Sequence, residues 1–424
     1  MTALRATAAL GALGALAAIW LPGMASAMSL PEAIALAQKS NPTLAQTKAQ
    51  ADAASARLSE ANAGRLPTVV LSGESGWGTT DLGGFFGFGR SNVSPRGAAL
   101  EVRQPLFAGG AINAAIDRAR EGRDAALAQA AGAKALLSAQ VAEAYVTVLS
   151  AAQLLSLNES QVRELSEIVR QAQLKFKDGE TPRTDLDQAR ARLANAQADL
   201  ARANGDVARA RAHFATIVGA EPGALEPLSD IPPTPAVLED AVEAATQSSP
   251  TLLAAEASAR AADAGVRYAQ ADRLPTVALT ASASTTRDQF FPGYRADGVT
   301  VGVQGRWSLF SGGLVSGRIS EARADVRAAQ AARDVARAQV REAVIGAWQD
   351  VQTARAVVQA ASDQSAASAS ALESVRNEVR VGQKPTVDLL DAEREALAAQ
   401  DALVIARGQQ VVDAYRLNAL LRGE

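Results

Sequence analysis

The sequence predicts an α+β membrane protein built from a duplicated unit, a strand hairpin followed by a long helical hairpin. Three observations predict it. Three motifs recur in the same order in the two halves of the 424-residue chain. Four segments alternate apolar and polar residues with the two-residue period of a strand. Two runs without proline carry heptad patterns long enough for helices of about 100 Å.

The duplication is read first, because an internal repeat decides how the rest is parsed. Arg65-Leu66-Pro67-Thr68-Val69 returns as Arg273-Leu274-Pro275-Thr276-Val277, an offset of 208 (273 − 65). Leu106-Phe107-Ala108-Gly109-Gly110 returns as Leu309-Phe310-Ser311-Gly312-Gly313, an offset of 203 (309 − 106). Gly179-Glu180-Thr181-Pro182-Arg183-Thr184-Asp185-Leu186 corresponds to Gly382-Gln383-Lys384-Pro385-Thr386-Val387-Asp388-Leu389, again 203 apart (382 − 179). The mismatch in offsets falls in the strand hairpin, where loops vary.

Residues 1–27 read as a secretory signal: Arg5, an apolar stretch over 6–21, then Ala25-Ser26-Ala27. No cysteine occurs, so disulfides, thiolate chemistry and an N-terminal lipid anchor are not expected. After the signal no segment supplies the roughly 20 apolar residues of a spanning helix, leaving a soluble exported chain or a β-barrel. Net charge is −3 with no basic block, which argues against a nucleic-acid partner.

The first repeat is assigned to 28–218, the second to 236–424, and the proline-rich stretch 219–235 connects them. Each opens with two helices, over 31–39 and 43–63, then over 236–247 and 251–271. Strands follow at about 66–80 and 96–107, and at about 275–289 and 298–310. Val69, Leu71 and Trp77 oppose Thr68, Ser72 and Glu74. Leu100, Val102 and Leu106 oppose Glu101 and Arg103. Val277, Leu279, Ala281 and Ala283 oppose Thr276, Thr280, Ser282 and Ser284. Val299, Val301, Val303, Trp307 and Leu309 oppose Thr300, Gln304, Arg306 and Ser308. Ten of the 17 aromatic residues, Trp77, Phe85, Phe86, Phe88, Phe107, Phe290, Phe291, Tyr294, Trp307 and Phe310 among them, fall in these hairpins, mostly at strand ends and loops. That is where a membrane barrel places its interfacial girdle, with 81–95 and 290–297 as outer loops.

The coiled coils are assigned to about 111–217 and 314–421. Val141, Val148, Leu155, Val162, Val169 and Phe176 repeat every seven residues, as do Val344, Val351, Val358, Ser365, Leu372 and Val379. The returning helices carry Leu186, Leu193, Leu200, Val207 and Phe214, then Leu389, Ala396, Leu403, Gln410 and Leu417. Ala189, Ala196, Ala203 and Ala210 permit close helix approach.

Four strands cannot close a barrel, and open edges are not tolerated in lipid, so the chain must assemble. Three copies would give twelve strands; two or four would also close. On these motifs the chain resembles the TolC-like outer-membrane efflux and export family over essentially its whole mature length. The resemblance implies a homotrimer, with a twelve-stranded outer-membrane barrel continued by a periplasmic α-helical coiled-coil barrel. It implies an exit duct that receives substrate from an inner-membrane pump (an ABC transporter or a proton-driven pump) through a periplasmic membrane-fusion adaptor. Residues 176–185, 217–223 and 414–417 are similar to the type I protein secretion branch; multidrug or metal efflux is the alternative.

No cofactor, metal site or catalytic group is expected. His213 is the single histidine, and glycines 87 and 89 do not open a helix after a strand. An adaptor would read the hairpin tips: Gly179, Thr181, Arg183, Asp185 and Leu186, with Gly382, Lys384, Thr386, Asp388 and Leu389. Turn geometry alone also accounts for the two glycines. By resemblance, carboxylates near the second tip narrow the periplasmic entrance: Glu373 first, then Asp363 and Glu378. Glu74, Glu101, Arg103 and Arg306 should line the barrel lumen. A trimeric coiled-coil adhesin or a soluble periplasmic adaptor is the competing class, and two symmetric strand hairpins fit neither.

Overall fold

The computed structural model describes residues 27–84, 87, 89–228 and 231–422. The expected signal, apart from Ala27, and Phe85, Phe86 and Phe88 lie outside the described residues.

Helix α1 (Leu30–Ser40) starts where the Ser29 N–H donates to Glu32 at 2.9 Å, and α2 (Pro42–Ala63) starts at Asn41, whose Oδ1 accepts from Thr43 and Leu44. Strands β1 (Thr68–Ser75), β2 (Gly78–Asp81), β3 (Arg90–Val93) and β4 (Arg96–Ala108) follow, then the helical hairpin α3 (Ala111–Lys177) and α4 (Arg183–Val218). The second half repeats the order with α5 (Leu238–Ser248), α6 (Pro250–Ala271), β5 (Thr276–Arg287), β6 (Arg295–Arg306), α7 (Leu314–Arg380) and α8 (Thr386–Arg422). Helices α3 and α7 each have 67 residues, a length of about 100 Å.

The strands depart from the sequence expectation in three places. The run 66–80 is broken at Gly76 and Trp77, because opposite it stands Pro95, which has no N–H for the ladder and only accepts from Gly76 at 2.9 Å. Beyond the break β2 pairs with β3 in a separate two-stranded sheet, and β3 lies inside the stretch 81–95 expected to be loop. The last strand spans 295–306 rather than 298–310, because Trp307 leaves the ladder and its Nε1 donates to the Arg273 carbonyl at 3.1 Å.

The remaining strands form one antiparallel sheet in the order β1-β4-β5-β6. Both hairpins are therefore joined edge to edge through β4 and β5, and β1 and β6 are its free edges. A bulge at Pro105 to Phe107 takes Leu106 out of register. After β4, contact and backbone both require Gly109: it has φ +61°, and a Cβ there would stand 2.7 Å from the Ala271 carbonyl and 2.9 Å from Leu274 Cβ.

Helix α3 packs against α2, α4, α6 and α8, and α7 packs against α6 and α8. The C-terminus of α4 meets the N-terminus of α2. There Ser40 Oγ lies 2.7 Å from the Val218 carbonyl, and Asn41 Nδ2 donates to Ile217. The second repeat copies this joint, with Ser248 Oγ 2.6 Å from the Leu421 carbonyl. Each chain thus presents four helical columns: α2 with α4, α3, α6 with α8, and α7.

The alanine seam of α4 is buried throughout at Ala189, Ala196, Ala203 and Ala210. The seven-residue row of α3 is buried only at Val141 and Val148. Further toward the tip burial passes to Ala151, Leu165 and Ala172, and Phe176 is exposed. A helix of 3.6 residues per turn drifts about 20° per heptad, so a strict row rotates out of the interface wherever supercoiling does not compensate. One window of α3 is apolar enough by composition to cross a membrane, with mean hydropathy 1.3, contrary to the sequence expectation. Half of it is buried, and its apolar content is the alanine-rich packing of the bundle. The largest cluster joins Leu44, Val141, Tyr145, Phe214 and Val218. The Tyr145 hydroxyl sits 2.8 Å from the Met28 and Glu226 carbonyls, pinning the segment that leads into α1 and the connector to α3.

Candidate functional site at the hairpin tips and the sheet

Both tips are Schellman turns. At the first, Gly179 (φ +74°) follows the last residues of α3, the Glu180 N–H donates to Lys175 O at 2.9 Å, and the Gly179 N–H donates to Phe176 O. At the second, Gly382 (φ +79°) plays the same part, with Gln383 N–H donating to Glu378 O at 2.8 Å and Gly382 N–H to Val379 O. Pro182 and Pro385 then set up the returning helices, and their carbonyls accept from Asp185 and Asp388 at 3.2 Å. Those two carboxylates occupy the first turns of α4 and α8, at the positive end of each helix dipole.

Gly179, Arg183, Gly382 and Lys384 are exposed, while Thr181, Asp185, Thr386 and Asp388 are half-buried. Leu186 and Leu389 are buried, 4% and 9% exposed, and brace the tip from inside. Leu186 packs in one cluster with Leu165, Ala172 and Leu390, which ties the first hairpin to α8.

The three entrance carboxylates have different surroundings. Glu373 is exposed on α7. Asp363 is exposed too, and accepts from Gln359 at 3.0 Å. Glu378 is half-buried and paired with Lys384 Nζ at 2.8 Å, and this bond holds the Lys384 ammonium above its ordinary pKa. A residue singled out for the tip and one singled out for the entrance are therefore partners.

Sequence reasoning missed an ionic joint just above the tip. Arg376 on α7 donates to Glu393 on α8 at 2.7 Å and lies 3.4 Å from Glu164 on α3. The Glu393 side chain is 4% exposed. Burial, then the adjoining Glu164 carboxyl, push its pKa up to about 7 against the opposing pull of Arg376. Arg192 and Asp391 pair at 2.9 Å nearby, joining α4 to α8. The signal was available: Glu393 interrupts the apolar spacing of Leu389, Leu390 and Ala396. Higher up, Asp401 faces a groove of about 860 Å³ between α3, α4 and α8, lined also by Glu143, Asp199, Arg202 and Arg209. Burial, then Asp199, raise the Asp401 pKa to about 6.

The register sorts the sheet into two faces. Residues opposed across strands share a face, so Thr68, Val70, Ser72 and Glu74 lie with Arg103, Glu101, Ala99 and Gly97. Thr280, Ser282, Thr300, Gln304 and Arg306 continue that polar face. All four expected lumen residues, Glu74, Glu101, Arg103 and Arg306, fall on it. The opposite face carries Val69, Leu71, Leu100, Val102, Leu279, Ala281, Val299, Val301 and Val303. It is apolar and open: Leu71 is 76% exposed and Val299 80%. A sheet with one naked apolar face, a polar reverse and two free edges, set on helices of about 100 Å, is the pattern of a membrane-facing sheet that needs further strands at both edges.

The comparisons agree. The chain belongs to the outer membrane efflux protein family, whose profile matches residues 33–220 and 241–423. It is an outer-membrane protein. It is 33% identical to the outer membrane efflux protein BepC of Brucella suis over 280 residues, 66% of this chain and 61% of BepC. It is 31% identical to the protein CyaE of Bordetella pertussis over 342 residues, 78% of this chain and 70% of CyaE. The crystal structure of the outer membrane protein VceC from Vibrio cholerae superposes with a TM-score of 0.79 at 20% identity, covering 93% of this chain and 97% of that one.

Proposed function

We propose that the chain is the exit duct of a tripartite export system and works as a homotrimer. The observation that carries this reading is the sheet, whose apolar face and free β1 and β6 edges are satisfied together when copies join edge to edge. Three chains supply twelve strands and twelve helical columns. At about 10 Å between columns the ring is roughly 38 Å across, wide enough for an open bore. The polar face lines the barrel, and α3, α4, α7 and α8 continue it through the periplasm. Transport is passive conduction, gated at the hairpin tips, where a periplasmic adaptor docks and hands over substrate from an inner-membrane ABC transporter or proton-driven pump.

The substrate class we infer is protein, by type I secretion, on the similarity of the first tip and of residues 217–223 and 414–417 to that branch. A second reading, efflux of small molecules, is favoured by the naming of BepC as an efflux protein. Deleting the gene and comparing the secreted proteins with sensitivity to a dye and antibiotic panel separates them. Loss of one or a few extracellular proteins at unchanged sensitivity supports secretion. Increased sensitivity with an intact set of secreted proteins overturns it in favour of efflux.

A further inference from the structure

We propose that Arg96, Arg287 and Arg295 form a phosphate-binding belt for the outer-leaflet lipid headgroups, the lipid A phosphates of a lipopolysaccharide leaflet. The proposal rests on the barrel reading above.

The three arginines stand in one cross-strand row. Arg96 on β4 is opposed to Arg287 on β5, and Arg287 to Arg295 on β6. By register they share the face of Leu100, Ala281, Val299 and Val301, which turns to lipid. The row lies at the end of the strands remote from the helices. Those helices occupy the periplasm, so this end meets the outer leaflet. Arg295 stands four positions before Val299, where the apolar face begins, about 13 Å along the strand. That height is the headgroup layer above the hydrocarbon band. Phe290 and Tyr294, edge to face at 5.0 Å, stand beside the row, as interfacial aromatics do.

Like charges directly opposite one another across strands destabilise a sheet. The chain offsets part of this with two carboxylates. Asp288 pairs with Arg96 at 2.9 Å, and Asp297 with Arg287 at 2.8 Å. Three guanidiniums against two carboxylates leave one positive charge per chain. Among the described residues Arg295 makes no salt bridge within 4 Å, and it acts on Asp288 and Asp297 only through space. Arg96 is 65% exposed in its side chain, and such exposed pairs are weak, so their remaining N–H groups stay open to a stronger anion. Guanidinium matches phosphate with two parallel hydrogen bonds, and lipid phosphate supplies the negative charge the row lacks. The opposite face at this end of the sheet carries Glu74 beside Gly97, so the basic belt is confined to the lipid side.

The test uses the full chain purified in detergent, with diphosphorylated lipid A and its dephosphorylated form as probes in mixed micelles. Native mass spectrometry reads the bound lipid. The wild type should prefer the phosphorylated form. R295Q should weaken that preference about tenfold, the size of one charge-assisted contact, and R96Q/R295Q should weaken it further. R306Q, on the lumen face, should retain it. An unchanged preference in R96Q/R295Q overturns the belt, and loss in R306Q instead would reverse the assignment of faces. A fluorophore at Val301→Cys, challenged with brominated lipid, separates the two levels. Quenching at Val301 without a phosphate preference sinks the belt alone; absence of quenching sinks the barrel reading with it.

Discussion

Arg376 reaches from α7 to the buried carboxyl of Glu393 on α8 at 2.7 Å, and the same guanidinium stands 3.4 Å from Glu164 on α3. One side chain thus spans the junction of the two helical hairpins near their tips. The arrangement is sensitive to pH. The folded protein holds Glu393 at a pKa of about 7, against about 4.3 for a free glutamate. Between those values the folded state binds the extra proton, so this group's contribution to stability is full below about pH 4.3 and is lost as pH rises through 7. Thermal unfolding should show stability falling between pH 5.5 and 8, by an amount on the order of 1 kcal/mol after allowing for solvent at the junction. Glu393→Gln should flatten that slope. A slope equal to wild type would remove Glu393 as its source.

Removing the cation should act in the same direction. Arg376→Ala leaves two carboxyls facing each other, one of them buried, at a cost of about 1–3 kcal/mol that is larger at pH 8 than at pH 5.5. Hydrogen exchange in α7 and α8 near the tip is the local readout. Protection unchanged at both pH values would mean that Leu186 and Leu390 hold the junction without the ionic joint.

The two faces of the sheet should respond oppositely to one substitution. Val301→Lys places a charge on the apolar face near its middle and should cost the proposed barrel about 2–4 kcal/mol of stability. Thr300→Lys, the adjacent residue on the polar face, should be accommodated. Heat-modifiable migration of the outer-membrane fraction on gels reports assembled barrel for each. Equal loss in both variants would contradict the inside–outside assignment.

Much of this architecture was legible because its signals are periodic and duplicated. Proline-free runs and the Gly-x-x-Pro tips placed the 67-residue helices to within a residue or so at each end, since cap chemistry marks helix ends locally. Alternation sorted Glu74, Glu101, Arg103 and Arg306 onto one face. The break at Gly76 was not legible, because it depends on Pro95 lying opposite it, which is a matter of register. The Arg376–Glu393–Glu164 joint was missed for a related reason. Its members lie on three helices, and no local pattern says which charged residue of a heptad meets which. Leu186 and Leu389 open the seven-residue rows of the returning helices and also stand at the tips; the sequence pattern does not decide between packing and exposure there, and the fold buries both.

A tight approach of α8 to α3 gives a prediction with a definite sign. Gly408 on α8 is buried against α3, where an added Cβ would stand 2.8 Å from Val146 Cγ1 and 3.0 Å from Ser150 Oγ. Gly408→Ala gains helix propensity of about 1 kcal/mol in an open position. Here the overlap with a β-branched side chain fixed inside a helix should outweigh it, forcing α8 away from α3 at a net cost of about 1–2 kcal/mol. The same change at Gly346 on α7, where a Cβ would meet nothing within 4 Å, should be neutral or stabilising. Comparing the two unfolding midpoints isolates packing from propensity. If Gly408→Ala raised the midpoint as much as Gly346→Ala, the α3–α8 contact would have to be loose enough to absorb a methyl group, and the joint at Arg376 would then be the chief tie between the two hairpins.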